Sequence, residues 1–207
     1  AAAERGEVAS VSGLGEKTQA TILEALRNRE GSESRTRLDR AEQFVEPLVD
    51  YLKQDGNIER VEVAGSYRRR KETIGDLDIL AISEAGEATI EHFVSYEDVT
   101  EVSSQGGTRS TVVLRSGLQV DLRVVPRESY GAALLYFTGS KAHNIALRNL
   151  ALERGFKVNE YGVFKVPEEQ EGEEASDEGE RVAGERELEI YKFFDLDFIE
   201  PEMRENR

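Results

Sequence analysis

Apolar positions along the chain recur first at helical spacing, then at every second residue, then at helical spacing again, which predicts helices, a strand-rich centre and a helix with a small mixed tail. Glu16 to Arg29 reads as a helix entered through a glycine turn, with Ala20, Leu23 and Leu26 on its apolar stripe and Ile22 beside them. Gly31 to Ser34 links it to a second amphipathic helix, Leu38 to Lys53, whose stripe is Ala41, Phe44, Val45, Leu48, Val49 and Leu52. After the turn Asp55-Gly56-Asn57 the period shortens. Val61 and Val63 alternate with Arg60 and Glu62 in a strand that stops at Ala64-Gly65-Ser66. A strand over Asp76 to Ile82 follows, then a charged connection, then strands at Ser110 to Arg115 and Gln119 to Val125 joined by the hairpin signal Ser116-Gly117. Helical spacing returns from about Ala142 to Arg154 and stops at Gly155; Val163 to Val166 and Ile190 to Phe194 read as later short elements. The order argues for an α+β chain built of mixed modules rather than a doubly wound sheet.

Composition removes several classes. The 207 residues include no Cys and two His, His92 and His143, so disulfide frameworks, thiolate zinc sites and histidine-rich metal cages are excluded. Apolar runs such as Ala132 to Phe137 fall far short of a membrane span, and residues 1–30 carry no signal-peptide pattern, so a soluble, intracellular chain is expected. With 38% hydrophobic residues the chain can bury a core, as one large domain or two small ones. Its formal charge of −15 is unevenly placed: residues 165–207 hold 16 acids against 6 bases. The stretch Glu168 to Glu180 has nothing to pack and reads as a solvated loop. Lys numbers 7 against 20 Arg, and the abundance of Glu and Asp suits a protein kept soluble in concentrated salt, as in a haloarchaeal habitat.

Candidate chemistry concentrates in VEVAGSYRRRKETIGDLDIL, Val61 to Leu80. The strand ends at Gly65-Ser66, where glycine lets a ligand approach the backbone and Ser66 can cap a short helix. Arg68, Arg69, Arg70 and Lys71 follow, and Gly75 leads into Asp76-Leu77-Asp78, where the strand period puts both carboxylates on one face and Leu77 into the core. Taken singly, the Gly-Ser is a common turn, the basic run a solvated loop and the paired acids surface residues. Their spacing is more specific: Gly-Ser, nine residues, then Asp-apolar-Asp-apolar resembles the nucleotidyltransferase signature. Paired carboxylates resist ionising together unless a divalent cation neutralises them. On Gln119 to Val124, Asp121 and Arg123 share one face and Val120, Leu122 and Val124 the other. That pattern fits either the polar face of an edge strand or a third carboxylate aimed at Asp76 and Asp78; the second arrangement would complete a two-metal site.

Two further segments narrow the resemblance. Val11-Ser12-Gly13-Leu14-Gly15-Glu16-Lys17-Thr18 resembles the hairpin of a helix-hairpin-helix DNA-binding motif, and YGAALLYFTGSKAHNIALR, Tyr130 to Arg148, resembles a long stretch of the family X DNA polymerases, the group containing DNA polymerase β. VDLRVVP, LERGFKVNEYGVF and RVAGERELEIYKFFDLDFIEPEMRE extend that resemblance over nearly the whole chain.

The resemblance implies three regions: a truncated helix-hairpin-helix DNA-gripping region over 1–56, a nucleotidyltransferase palm with a mixed sheet over 57–128, and a thumb-like module closing on the nascent base pair over 129–207. It implies that Asp76, Asp78 and Asp121 are the catalytic residues and hold two Mg²⁺ ions, with Mn²⁺ as the alternative, Asp121 being the partner of the primer 3′-hydroxyl. Ser66, Arg69 and Gly75 match positions that contact the incoming triphosphate, with a further arginine from Arg35 or Arg37, and Ile74 stands where some relatives have Ser. Tyr136, Phe137 and Gly139 match the segment lining the nucleotide's sugar and base; Asn144 and Arg148 match residues reaching the minor groove of the nascent pair and template. Gly13, Gly15, Lys17 and Arg123 match DNA contacts, and the carbonyls of Ala9, Val11 and Leu14 a monovalent-cation site. Lys141 and Gln119 depart from the Asp and Arg of DNA polymerase β. The implied function is template-directed dNMP transfer from dNTP to a primer in gap-filling repair, by a monomeric cytoplasmic prokaryotic enzyme acting on gapped or primer-template DNA. A template-independent transferase and an inactive DNA-binding scaffold are the alternatives. The implied extent is a polymerase core, without the family's amino-terminal lyase domain or the carboxy-terminal phosphoesterase domain of many microbial members.

Overall fold

A computed structural model of the chain describes residues 15, 35–166 and 179–205. The chain divides into two compact units, residues 1–35 and 36–207, and the architecture below is that of the second. The helix expected over Glu16 to Arg29, the linker Gly31 to Ser34, the hairpin positions Ala9, Val11, Gly13, Leu14 and Lys17, and the acidic stretch from Glu168 to Glu178 lie outside the described residues.

Helix α1, Leu38–Leu52, buries Ala41, Val45, Leu48 and Leu52 of the stripe that helical spacing picks out, with Phe44 and Val49 partly buried against the same core. It packs with α3, Gly86–Val94, on one face of a five-stranded mixed sheet. The strands are β2 (Ile58–Val63), β4 (Asp76–Ser83), β5 (Val99–Gln105), β6 (Arg109–Leu114) and β7 (Gln119–Val125), in the order β2-β4-β7-β6-β5. β4 and β7 run parallel at the centre, and the other pairs are antiparallel. A two-stranded ribbon joins β1 (Thr36–Arg37) to β3 (Thr73–Ile74). β7 is an interior strand, which removes the edge-strand reading of its polar face.

The charged connection expected between Ile82 and Ser110 holds α3 and β5 instead. α3 anchors through only Thr89, Ile90 and Phe93, and β5 exposes nearly all of VTEVSSQ as an outer strand, so neither carries a strong apolar period. Ser66 does not cap the helix as expected: the short helix α2, Gly65–Arg68, begins one residue earlier, with Ala64 at its N-cap and no side-chain cap bond, so Ser66 lies inside the helix.

Helix α4, Tyr130–Thr138, shows no helical stripe because it is buried almost all round. Tyr130, Ala133 and Leu134 pack with Leu80 and Ile82 of β4, while Ala132 and Leu135 belong to a second core. That core joins α5 (Lys141–Glu153), a three-stranded antiparallel sheet of β8 (Phe156–Asn159), β9 (Gly162–Lys165) and β10 (Arg181–Ala183), and α6 (Glu187–Phe193). α4 is therefore shared between the modules. Gly131 lets it do this: an added Cβ would sit 2.2 Å from the Arg186 carbonyl carbon.

The modules are also tied by charge. Buried Glu187 accepts from Arg68 Nη1 and Nη2 at 3.0 and 2.9 Å and from Arg204 Nη1 at 2.5 Å, and Arg68 Nη1 also reaches Thr138 Oγ1 at 2.8 Å. Arg204 is wholly buried, with its Nε on the Ile199 carbonyl and its guanidinium 5.4 Å from the ring centres of Tyr191 and Phe198. Burial alone would raise the Glu187 carboxyl, but hydrogen bonds and charge from Arg68 and Arg204 hold it below its ordinary value.

Candidate active site

The parallel register of β4 and β7 sets Asp78 directly across from Asp121, with Asp76 across from Gln119. The strand period then places Asp76, Asp78, Leu80 and Ile82 on one face, beside Asp121, Arg123 and Val125. α4 covers the Leu80 and Ile82 end of that face. The other end is left to the three carboxylates, so one sheet face is half core and half acidic site.

Each carboxylate has a different environment. Asp76 is exposed. The Asp78 carboxyl is pushed up to about 6, first by burial and then by the negative charges of Asp76 and Asp121, with Arg123 and Arg69 pulling the other way. Asp121 accepts from Thr111 Oγ1 at 2.5 Å and Gln119 Nε2 at 3.1 Å, and Arg109 stands 3.6 Å from its Oδ1. Thr111 and Arg109 are not evident from motif matching; they follow from the β6–β7 register, which sets Thr111 opposite Asp121, whereas Gln119 reaches Asp121 from two residues along β7 itself.

Gly65 fits closely under Asp78. It sits at φ +60, and a Cβ there would lie 2.4 Å from Asp78 Oδ2, while the Ala64 amide donates to the Asp78 carbonyl at 2.7 Å. The glycine of the Gly-Ser pair is thus needed both for its left-handed backbone and for the space the second aspartate fills. Gly65→Ala is expected to destabilise the chain by about 2 kcal/mol, the left-handed cost plus displacement of the carboxylate. A denaturant midpoint equal to that of the parent would contradict this packing.

Around the acids, Arg123 lies over the Phe137 ring at 4.3 Å, and Arg69 donates from Nε to Glu205 at 2.8 Å and from Nη1 to the Thr138 carbonyl. Gly139 stands at φ +68, where a Cβ would approach Arg69 Nη1 to 3.3 Å, and the Gly139–Ser140 peptide is cis. Ser140 caps α5, accepting from the His143 amide. Asn144 donates to the Tyr136 carbonyl at 2.7 Å, and Arg148 follows one turn later on α5, exposed. Ser66 and Gly75 both precede the acidic strand in sequence, one in α2 and one between β3 and β4. Arg37 is brought elsewhere: it pairs with Asp39 at 3.1 Å and lines a groove with Arg70, Glu72 and Thr73 that none of the three aspartates lines. Arg35 and Gly15 are exposed.

Among the described residues no three acidic or histidine side chains stand close enough together to share one ion as they are placed. The donor set nevertheless fits a hard divalent cation: three carboxylates on two adjacent parallel strands, one of them raised by burial and then by the negative charge of the others. Among the described residues no helix is long and apolar enough to cross a membrane.

Comparison with known proteins bears on this arrangement. Residues 34–129 match the family described as DNA polymerase beta palm, and residues 133–205 the family described as DNA polymerase beta thumb. The chain is 32% identical, over 99% of its length, to the DNA polymerase/3′-5′ exonuclease PolX of Bacillus subtilis, of which it covers 35%. It is 26% identical, over 68% of its length, to the DNA polymerase lambda proteins of Arabidopsis thaliana and Rattus norvegicus, of which it covers 31% and 28%. The chain thus spans about a third of the length of these curated relatives.

Proposed function

This chain belongs to the family X DNA polymerases, of which it carries the palm and thumb, and we propose that it transfers dNMP from dNTP to a primer 3′-hydroxyl as directed by a template, filling short gaps in DNA. The observation that carries the reading is the acidic half-face of the central sheet, where Asp78 and Asp121 stand in register on parallel strands with Asp76 one step along.

Asp76, Asp78 and Asp121 would hold two Mg²⁺ or Mn²⁺ ions, which when bound neutralise the carboxylates and supply Lewis acidity at the transferred phosphoryl group. The chain's own residues do the rest. Asp121, on the central strand β7 and already oriented by Thr111 and Gln119, accepts the hydrogen bond of the primer 3′-hydroxyl and fixes its line of approach. Arg69 and the Ser66 hydroxyl hold the triphosphate, with the Gly75 backbone beside it. The Tyr136–Gly139 segment lies against sugar and base, and the Tyr136 carbonyl is fixed by Asn144, so the wall that meets the sugar is backed by the residue that reaches the minor groove. Arg148, exposed on the same face of α5, extends that contact to the template, and Arg123, stacked on Phe137, couples the acidic strand to the nucleotide-lining segment.

The helix-hairpin-helix contacts at Gly13, Gly15 and Lys17 and the monovalent-cation carbonyls of Ala9, Val11 and Leu14 are proposed DNA contacts of the first unit by itself, with a monomer as the working unit. The division into a DNA-gripping region over 1–56, a palm over 57–128 and a thumb-like module over 129–207 belongs to the same proposal. The test offers the four dNTPs singly on a one-nucleotide-gapped duplex: only the dNTP complementary to the template base is expected to be incorporated. Equal use of all four, or tailing of a single-stranded primer, would contradict template direction.

A further inference from the structure

The basic run Arg68 to Lys71 is not a solvated loop; its members point in three directions. Arg68 turns inward to Glu187. Arg70 turns to Glu42 of α1 at 3.0 Å. Arg69 and Lys71 turn together onto Glu205, Arg69 Nε lying 2.8 Å from Oε1 and Lys71 Nζ 3.3 Å from Oε2, so that one carboxylate bridges two cations with a separate oxygen for each. The backbone brings this about. α2 ends with the Arg70 amide on the Tyr67 carbonyl and the Lys71 amide on the Ser66 carbonyl, a Schellman turn in which Arg70 takes the left-handed position (φ 54) where glycine is usual. The turn swings Lys71 back alongside Arg69.

We propose that Arg69 and Lys71 form a two-cation cradle for the terminal phosphates of a polyphosphate, and that Glu205 occupies the cradle as an internal anion which the incoming triphosphate displaces. The inference rests on the polymerase reading for the source of the triphosphate, and it adds Lys71 and Glu205 to the site. A phosphate, like a carboxylate, presents two oxygens to two donors, and the charge-assisted bonds that now serve Glu205 serve it equally. The cradle lies beside the acidic face, since Arg69 is among the charges felt at Asp78. Arg69 also donates to the Thr138 carbonyl, next to the Gly139 turn of the segment proposed to line the nucleotide. Glu205 can leave without unfolding its segment. The preceding residue, Arg204, carries the anchor: its side chain is buried on Glu187, and its carbonyl accepts from Ser140 Oγ at 2.5 Å and from the Ser140 amide at 3.3 Å. Glu205 is itself part-exposed, its side chain 26% accessible, so water replaces the lost contacts. The competition is one anion against another for the same donors, and it sets the nucleotide concentration at which the site fills.

The experiment measures binding of inorganic tripolyphosphate to the 207-residue chain by calorimetry, in the parent, Glu205→Gln, Glu205→Ala and Glu205→Gln/Lys71→Gln. Removing the resident carboxylate is expected to tighten binding about fivefold in both single variants, and removing Lys71 as well to cancel the gain. dCTP should tighten in parallel, which assigns the effect to the polyphosphate rather than the base. Unchanged or weaker tripolyphosphate binding in both Glu205 variants would overturn the cradle, as would a gain that survives Lys71→Gln. A gain seen with a single-stranded oligonucleotide but not with tripolyphosphate would overturn it too, assigning the cations to backbone phosphate. The two readings fail separately: tightening without gapped-duplex extension by the parent removes the polymerase reading and leaves the cradle, whereas extension without tightening does the reverse.

Discussion

Asp121→Asn is expected to lower primer extension by about a thousandfold or more while leaving dNTP affinity within a few-fold of the parent. The substitution is nearly isosteric, and the amide oxygen can still accept from Thr111, so the β6–β7 pair keeps its register. In the proposed reading, what is lost is one negative charge at the 3′-hydroxyl, together with an oxygen that would hold a metal ion. On the same reading triphosphate binding rests on the other strand and on Arg69, so chemistry and affinity should separate. Single-turnover extension against a dNTP binding isotherm gives both quantities. Parent-like turnover would remove Asp121 from the mechanism, and an equal loss of affinity and rate would move it to the triphosphate side.

A second large effect is expected where the modules are joined. Glu187→Gln leaves Arg204, wholly buried, without a counter-charge and weakens Arg68 as well, which should cost about 3–5 kcal/mol of folding stability. The pH dependence has a definite sign. The Glu187 carboxyl is held below its ordinary value in the folded chain, so its contribution is fully present above the unfolded value of about 4.3 and drains away as pH falls through the lower folded value. Urea midpoints from neutral pH into the acid range should fall in the parent, and the fall should be shallower in the variant. A variant as stable as the parent at neutral pH would show that the network ties nothing together.

Much of this molecule was legible in the sequence where a single period or a tight spacing governs. The α1 stripe, the alternation on β7 and the Asp76-Leu77-Asp78 step all follow from side-chain geometry within one element, and each stands in the fold as read. What escaped depends on partners from elsewhere in the chain. α4 has no stripe because two cores claim opposite sides of it, and β5 has no alternation because its side chains are nearly all exposed. The clamp on Asp121 turns on one residue of register. A two-residue turn at Ser116-Gly117 would set Val112 across from Asp121, but the chain turns over Arg115, Ser116 and Gly117, with Gly117 at φ +82 and the Leu114 amide on the Leu118 carbonyl, and so presents Thr111. Likewise the basic run reads as four equivalent charges until Glu42, Glu187 and Glu205 sort them, and those acids lie up to 136 positions away in sequence.

The acidic face is claimed to be a metal-dependent centre of nucleotidyl transfer, and the measurement that reaches this most directly is incorporation into a one-nucleotide-gapped duplex by the 207-residue chain, run with Mg²⁺, with Mn²⁺ and with EDTA. Addition of a single complementary nucleotide is expected with either metal and none with EDTA. A duplex left unextended in both metals, or extended equally in EDTA, would contradict it.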